Sequence, residues 1–171
     1  MRVALVNTNL IRPPIAPIGL DYLAEALHAA GHQPVLLDLC WEEDPRAATA
    51  TFFDRAEFGL VGVTLRNTDD CAFTSRCSFL PEFASLVAAI RRHTDARIVL
   101  GGVGFSVMPE QVLNLTNADL GVWGEGEFVF PELAHRLERR EDFRELPCLI
   151  WRGNGTWRRN PPSSEPLSAL P

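Results

Sequence analysis

The side chains best suited to chemistry in this 171-residue sequence are four cysteines, four histidines and two tight groups of polar residues. Cys40, Cys71, Cys77 and Cys148 form neither a CxxC pair, a zinc set nor the CxxxCxxC triplet of a radical-type iron–sulfur cluster. They read as free thiols in a reducing compartment, with Cys71 and Cys77 in a polar loop that could touch a ligand. Arg66, Asn67, Asp69 and Asp70 crowd that loop and offer hydrogen bonds rather than a catalytic pair. Glu125 and Glu127 flank Gly126 before a helical segment, where carboxylates favour the helix dipole, so capping is expected of them. No catalytic residue and no protein metal ligand is assigned.

The oddest stretch carries no reactive group. In "RIVLGGVGFS" (97–106), an apolar strand breaks into Gly101, Gly102 and Gly104. Glycine permits positive φ, and it also lets a bulky partner approach the backbone. Residues alone leave both readings open.

The elements that must position these residues alternate. Strands are expected at 2–7, 34–39, 60–65, 97–101 and 120–123, each almost wholly apolar. Helices are expected at 18–32, 44–56, 81–93, 109–115 and 127–140, with Asp44 and Pro45 opening the second. This order implies an α/β fold, a doubly wound parallel five-stranded sheet of Rossmann-like, flavodoxin-type order. Residues 1–145 form that domain. Residues 146–171 are expected to add a hairpin around Asn154-Gly155 and a Pro/Ser-rich linker towards a further domain.

Composition narrows the partners. Charged residues make up 22% and hydrophobic ones 46%, the balance of a soluble globular protein. A net charge of −6 argues against nucleic acid or an anionic membrane, and the start of the chain reads straight into a strand. A cytoplasmic location is expected.

Ligands of open parallel sheets bind beyond the carboxyl ends of the strands. Four loops reach that edge: 7–17, 64–79, 101–109 and 124–127. The first lacks the glycines of a dinucleotide site or a phosphate-binding loop. Asn7, Thr8 and Asn9, then Thr64, Leu65 and Arg66, stand where a phosphoacceptor receiver domain needs acidic residues.

Four segments instead resemble the cobalamin-binding domain at the amino terminus of cobalamin-dependent radical SAM enzymes of the methyltransferase type. They are "PPIAPIGLDYLAEALHAAGH", "VGVTLRNTDD", "IVLGGVGFSVMPE" and "ADLGVWGEGEFVFPEL". In that family the corrin ring lies across the carboxyl edge, and its nucleotide tail runs into the sheet beside the double glycine. The resemblance implies cofactor contacts at Pro14 and Ile15, at Thr64, Leu65, Arg66 and Asn67, at Gly101, Gly102, Gly104, Phe105 and Ser106, and at Gly124, Glu125 and Gly126. Arg66 and Asn67 would meet corrin amides, while Asp69 and Asp70 would face a neighbouring domain.

Many cobalamin domains carry DxHxxG after the first strand, with the histidine beneath cobalt; here that loop reads "NTNLIRPP". His28, His32 and His93 close helices at the opposite edge, a helix of fifteen residues being roughly 22 Å long. His135 lies midway along the last helix and is expected at the surface. Cobalamin bound base-off and His-off is therefore expected. S-adenosylmethionine and a 4Fe-4S cluster would belong to a radical SAM core in cis or in trans, which this chain lacks. A stand-alone corrinoid carrier or sensor, or a flavodoxin-like nucleotide binder, are the alternative readings.

Overall fold

The computed structural model describes residues 1–70 and 72–163. Five strands run parallel: β1 (Arg2–Asn7), β2 (Gln33–Asp38), β3 (Leu60–Thr64), β4 (Arg97–Gly101) and β5 (Leu120–Val122). Their spatial order is β2-β1-β3-β4-β5, the doubly wound order expected from the alternating pattern.

The sheet does not stop at five strands. β6 (Leu149–Gly153) and β7 (Thr156–Arg159) continue it antiparallel beyond β5, making seven. The turn between them is the expected one, with positive φ at Asn154 (51°) and Gly155 (81°). Leu149 and Ile150 are fully buried, and Val122 pairs with Leu149 across the β5–β6 ladder. The Trp157 indole N–H donates to Asn114 Oδ1 at 2.8 Å, fastening the hairpin to the helix before β5. A hairpin with a buried face is drawn onto a sheet edge, but its sequence does not say which edge. The linker expected after it lies mostly outside the described residues.

Helices cover both faces. α1 (Ile18–Ala29) and α6 (Val129–Arg139) pack on Val3, Leu5, Val99 and Leu120. α2 (Pro45–Asp54), α3 (Leu80–His93) and α5 (Pro109–Thr116) pack on Val6, Val61, Ile98 and Leu100. Asp44 caps α2 by accepting from the N–H groups of Arg46 and Ala47, both at 3.0 Å. A five-residue helix not foreseen in the sequence, α4 (Val103–Val107), leaves β4 directly. The N–H groups of Gly104 and Phe105 both donate to Leu65 O, so the loop after β3 fixes where α4 begins.

Register sets the functional edge. Asp38, Asn7, Thr64 and Gly101 end β2, β1, β3 and β4 as direct neighbours in one row. Side chains in register share a face of the sheet, so this row presents a carboxylate, an amide, a hydroxyl and no side chain in turn. All four lie at the carboxyl ends of their strands.

Candidate functional site

The row is braced before any ligand is considered. Asn7 Nδ2 donates to Asp38 Oδ1 at 2.7 Å, and Asn7 Oδ1 accepts from Asn9 N at 3.1 Å. The Thr8 hydroxyl donates to Thr64 O at 2.7 Å, tying the first loop to the third strand. Ser106 links two others: its hydroxyl donates to Gly102 O at 3.0 Å and accepts from Gly124 N at 2.9 Å. Backbone groups that would otherwise need water are thereby used to hold the loops in place.

Between these loops a cavity of about 780 Å³ descends along the face covered by α1 and α6. Its floor is made by Gly62, Thr64, Val99, Gly101 and Val122. Leu20, Leu23 and Phe130 wall it, and Arg66, Asn67 and Glu125 stand among its polar lining. The volume suits a single organic ligand or part of a larger one. The apolar depth would take a flat, uncharged group, while the polar lining would take hydrogen-bonding ones.

The three glycines divide into two kinds. Gly102 sits at φ 98° and ψ 170°, a region almost confined to glycine, and a Cβ there would overlap the Thr64 hydroxyl and lie 2.7 Å from Leu65 O. Gly104 would place its Cβ 2.9 Å from the Arg66 carbonyl. Both are glycine because backbone passes close to backbone. Gly101 differs. A Cβ there would meet only Val122 O, at 3.6 Å, so its missing side chain widens the cavity floor.

The B12 binding domain family matches residues 5–134. This chain belongs to that family. It is 40% identical over 172 aligned positions to tryptophan 2-C-methyltransferase of Streptomyces laurentii, covering 98% of this chain and 29% of that protein. The radical S-adenosylmethionine methyltransferase TsrM of Kitasatospora setae, solved with cobalamin and a [4Fe-4S] cluster, superposes with a TM-score of 0.91 at 36% identity. That match covers 99% of this chain and 30% of TsrM. OxsB, a cobalamin-dependent S-adenosylmethionine radical enzyme solved with aqua-cobalamin, shares the fold with a TM-score of 0.79 at 17% identity, over 96% of this chain and 22% of OxsB. The chain thus spans about a third or less of the proteins it resembles.

Within this B12-binding domain the expected contact residues separate. Ile15, Thr64, Arg66, Asn67, Gly101, Gly102, Ser106, Gly124, Glu125 and Gly126 line the large cavity. Pro14, Leu65, Gly104 and Phe105 are not among its lining residues. Leu65 lines a smaller cavity of about 140 Å³ with Phe79 and Phe83. Phe105 is fully buried, and a Cβ on Gly121 would overlap its ring, so Phe105 fills the space that Gly121 leaves.

Two other expectations need correcting, those for the glutamates before α6 and for His135. α6 begins at Val129 with no side-chain cap, so neither Glu125 nor Glu127 caps it. Asp70 accepts from the Ser75 hydroxyl and from Ala72 N, and the Ser75 hydrogen bond is the main reason its carboxyl lies below the usual range. Cys40, Cys77 and Cys148 are free thiols; Cys71 lies outside the described residues. His135 is half-buried rather than superficial, its ring 4.5 Å from that of buried His32 and its Nε2 on Ala30 O. None of the four histidines lines either cavity.

Sequence reading gave no cofactor contact to Gly62, Asn9 or Glu127, all of which line the large cavity. Gly62 had a signal, as a glycine inside the apolar strand "LVGVT" marks a close approach. A Cβ there would meet Phe130 Cζ at 2.9 Å. Asn9 and Glu127 had none, because their contribution depends on burial that only the folded chain displays.

Proposed function

We propose that this chain is the cobalamin-binding module of a radical SAM methyltransferase and holds the cofactor base-off and His-off. The observation that carries the reading is the cavity beneath Gly101, in a chain that matches the B12-binding family from β1 into α6. Its residues fit the group. A glycine floor and apolar walls suit the nucleotide tail, and Arg66, Asn67 and Thr64 offer hydrogen bonds to the corrin's amide-bearing edge. With no imidazole in the lining, nothing there replaces the displaced base beneath the metal.

When bound, the corrinoid supplies a cobalt centre that can carry a methyl group from S-adenosylmethionine towards an acceptor. This chain's own residues bind and orient. Thr8 and Ser106 hold the loops, Gly101 leaves room for the tail, and Leu20, Leu23 and Phe130 keep water from it. A radical SAM core, in cis or in trans, would contribute the cluster that this sequence's cysteines do not spell. The free thiols support placing the protein in the reducing cytoplasm, and among the described residues no helix is long and apolar enough to cross a membrane.

Incubation with hydroxocobalamin, removal of excess ligand and a visible spectrum test the reading. A stoichiometric corrinoid spectrum is expected. Retention of flavin with no corrinoid uptake would overturn it.

A further inference from the structure

Buried polar groups in native proteins almost always find hydrogen-bond partners, because an unpaired one loses its solvation without recompense. Two side-chain atoms of residues that line the cavity break this rule. Asn9 Nδ2 and Glu127 Oε2 are both buried and make no hydrogen bond among the described residues. Asn9 is only 8% exposed, and its other amide atom, Oδ1, accepts from Ile11 N at 3.3 Å. The two atoms come from different loops, Asn9 from the one after β1 and Glu127 from the turn before α6. Both residues line the large cavity.

The two orphans are chemically complementary. Asn9 Nδ2 can only donate, and an ionised Glu127 can only accept. A primary carboxamide presents both a carbonyl and an N–H₂ group, so carboxamides can satisfy both atoms. A carboxylate could accept from Asn9 but would meet Glu127 as a like charge, and among the described residues Arg66 is the only cationic side chain in the lining.

We propose that Asn9 and Glu127 recognise the carboxamide periphery of the corrinoid and reject corrinoids whose peripheral groups are carboxylates. This inference rests on the cavity holding a corrinoid, and it concerns two residues to which the family resemblance assigns no role.

The test compares cobinamide with cobyrinic acid. Both lack the nucleotide tail, but the first carries amides where the second carries carboxylates. Absorbance titrations would be run on the parent chain and on Asn9→Asp, Glu127→Ala and Glu127→Gln. Asn9→Asp keeps the oxygen that accepts from Ile11 N and replaces the donor by a charged acceptor. The parent chain should bind cobinamide at least tenfold more tightly than cobyrinic acid. Asn9→Asp and Glu127→Ala should each weaken cobinamide about tenfold, the scale of a lost hydrogen bond to a buried partner. Glu127→Gln keeps an acceptor without the charge, so it should hold cobinamide within a few-fold and tighten cobyrinic acid.

Thermal melting separates recognition from scaffolding. Since Glu127 Oε2 has no partner to lose, the ligand-free Glu127 variants should melt with the parent, and a clear drop in their melting temperature would assign Glu127 a structural role instead. Equal parental affinity for the two probes, or unchanged affinities in all three variants, would overturn the inference while hydroxocobalamin binding stands. If hydroxocobalamin itself fails to bind, the cobalamin reading falls, and this inference falls with it.

Discussion

Gly102 and Thr64 approach so closely that a Cβ on the glycine would overlap the threonine hydroxyl, Thr64 ending β3 and Gly102 following the end of β4. The neighbouring Gly101 has no such constraint. A pair of adjacent glycines therefore does two separate jobs, one conformational and one spatial.

Substitution separates those jobs. Gly102→Ala should destabilise the fold by about 1–3 kcal/mol from overpacking, and holding a side chain at that φ costs of order 1–3 kcal/mol more. Gly101→Val should melt close to the parent yet bind hydroxocobalamin at least tenfold more weakly, because its branches project into the cavity. Melting curves and absorbance titrations on both variants check this, and a Gly101→Val protein with parental affinity would move the tail elsewhere.

Phe105 offers the opposite contrast. It is fully buried against Gly121 and does not line the cavity. Phe105→Ala should therefore cost about 3–5 kcal/mol of stability. Below its lowered melting temperature it should still bind hydroxocobalamin within a few-fold of the parent. Denaturant unfolding and titration at low temperature read the two effects separately.

The lower face of the bound cobalt can be read by electron paramagnetic resonance. With no histidine lining either cavity, the cob(II) form should show a base-off spectrum without nitrogen superhyperfine splitting. Replacing His28, His32, His93 or His135 singly should leave that signal unchanged. A splitting that disappears with any one of them would place an imidazole beneath the metal.

His32 should make stability depend on pH. Burial is the main reason its pKa falls below 6.5, and the Met1 ammonium, 3.1 Å from Nδ1, acts in the same direction. The unfolded chain thus takes up a proton at higher pH than the folded one. The stabilisation is whole above about pH 6.5 and is lost as pH drops from there towards the lowered folded value. Melting temperatures between pH 7.5 and 5 should fall, and His32→Gln should flatten that slope.

The five parallel strands were legible because each is an apolar run bounded by turn residues, and their alternation with helices allows few topologies. The Asn154-Gly155 turn was equally plain. The place where its hairpin docks was not, since Val122–Leu149 pairing joins segments that share no local signal. α4 escaped notice because its start depends on Leu65 O, nearly forty residues earlier in the chain. Glycine composition pointed to a loop that lines the cavity but could not distinguish Gly101, which opens space, from Gly102 and Gly104, which shape backbone. Residues that matter through what they fail to contact, Asn9 and Glu127, were beyond the reach of pattern.

The row formed by Asp38, Asn7, Thr64 and Gly101 divides labour between main chain and side chain. The main chains belong to the ladder, where slipping one residue would turn a strand's whole pattern to the other face. The side chains, about 5 Å apart from strand to strand, contribute little to that register. Persistence of the fold and drift in what the edge recognises are therefore separable over evolutionary time. A lineage could exchange the hydroxyl or fill the gap at Gly101, acquire a different ligand, and leave the sheet beneath it unaltered.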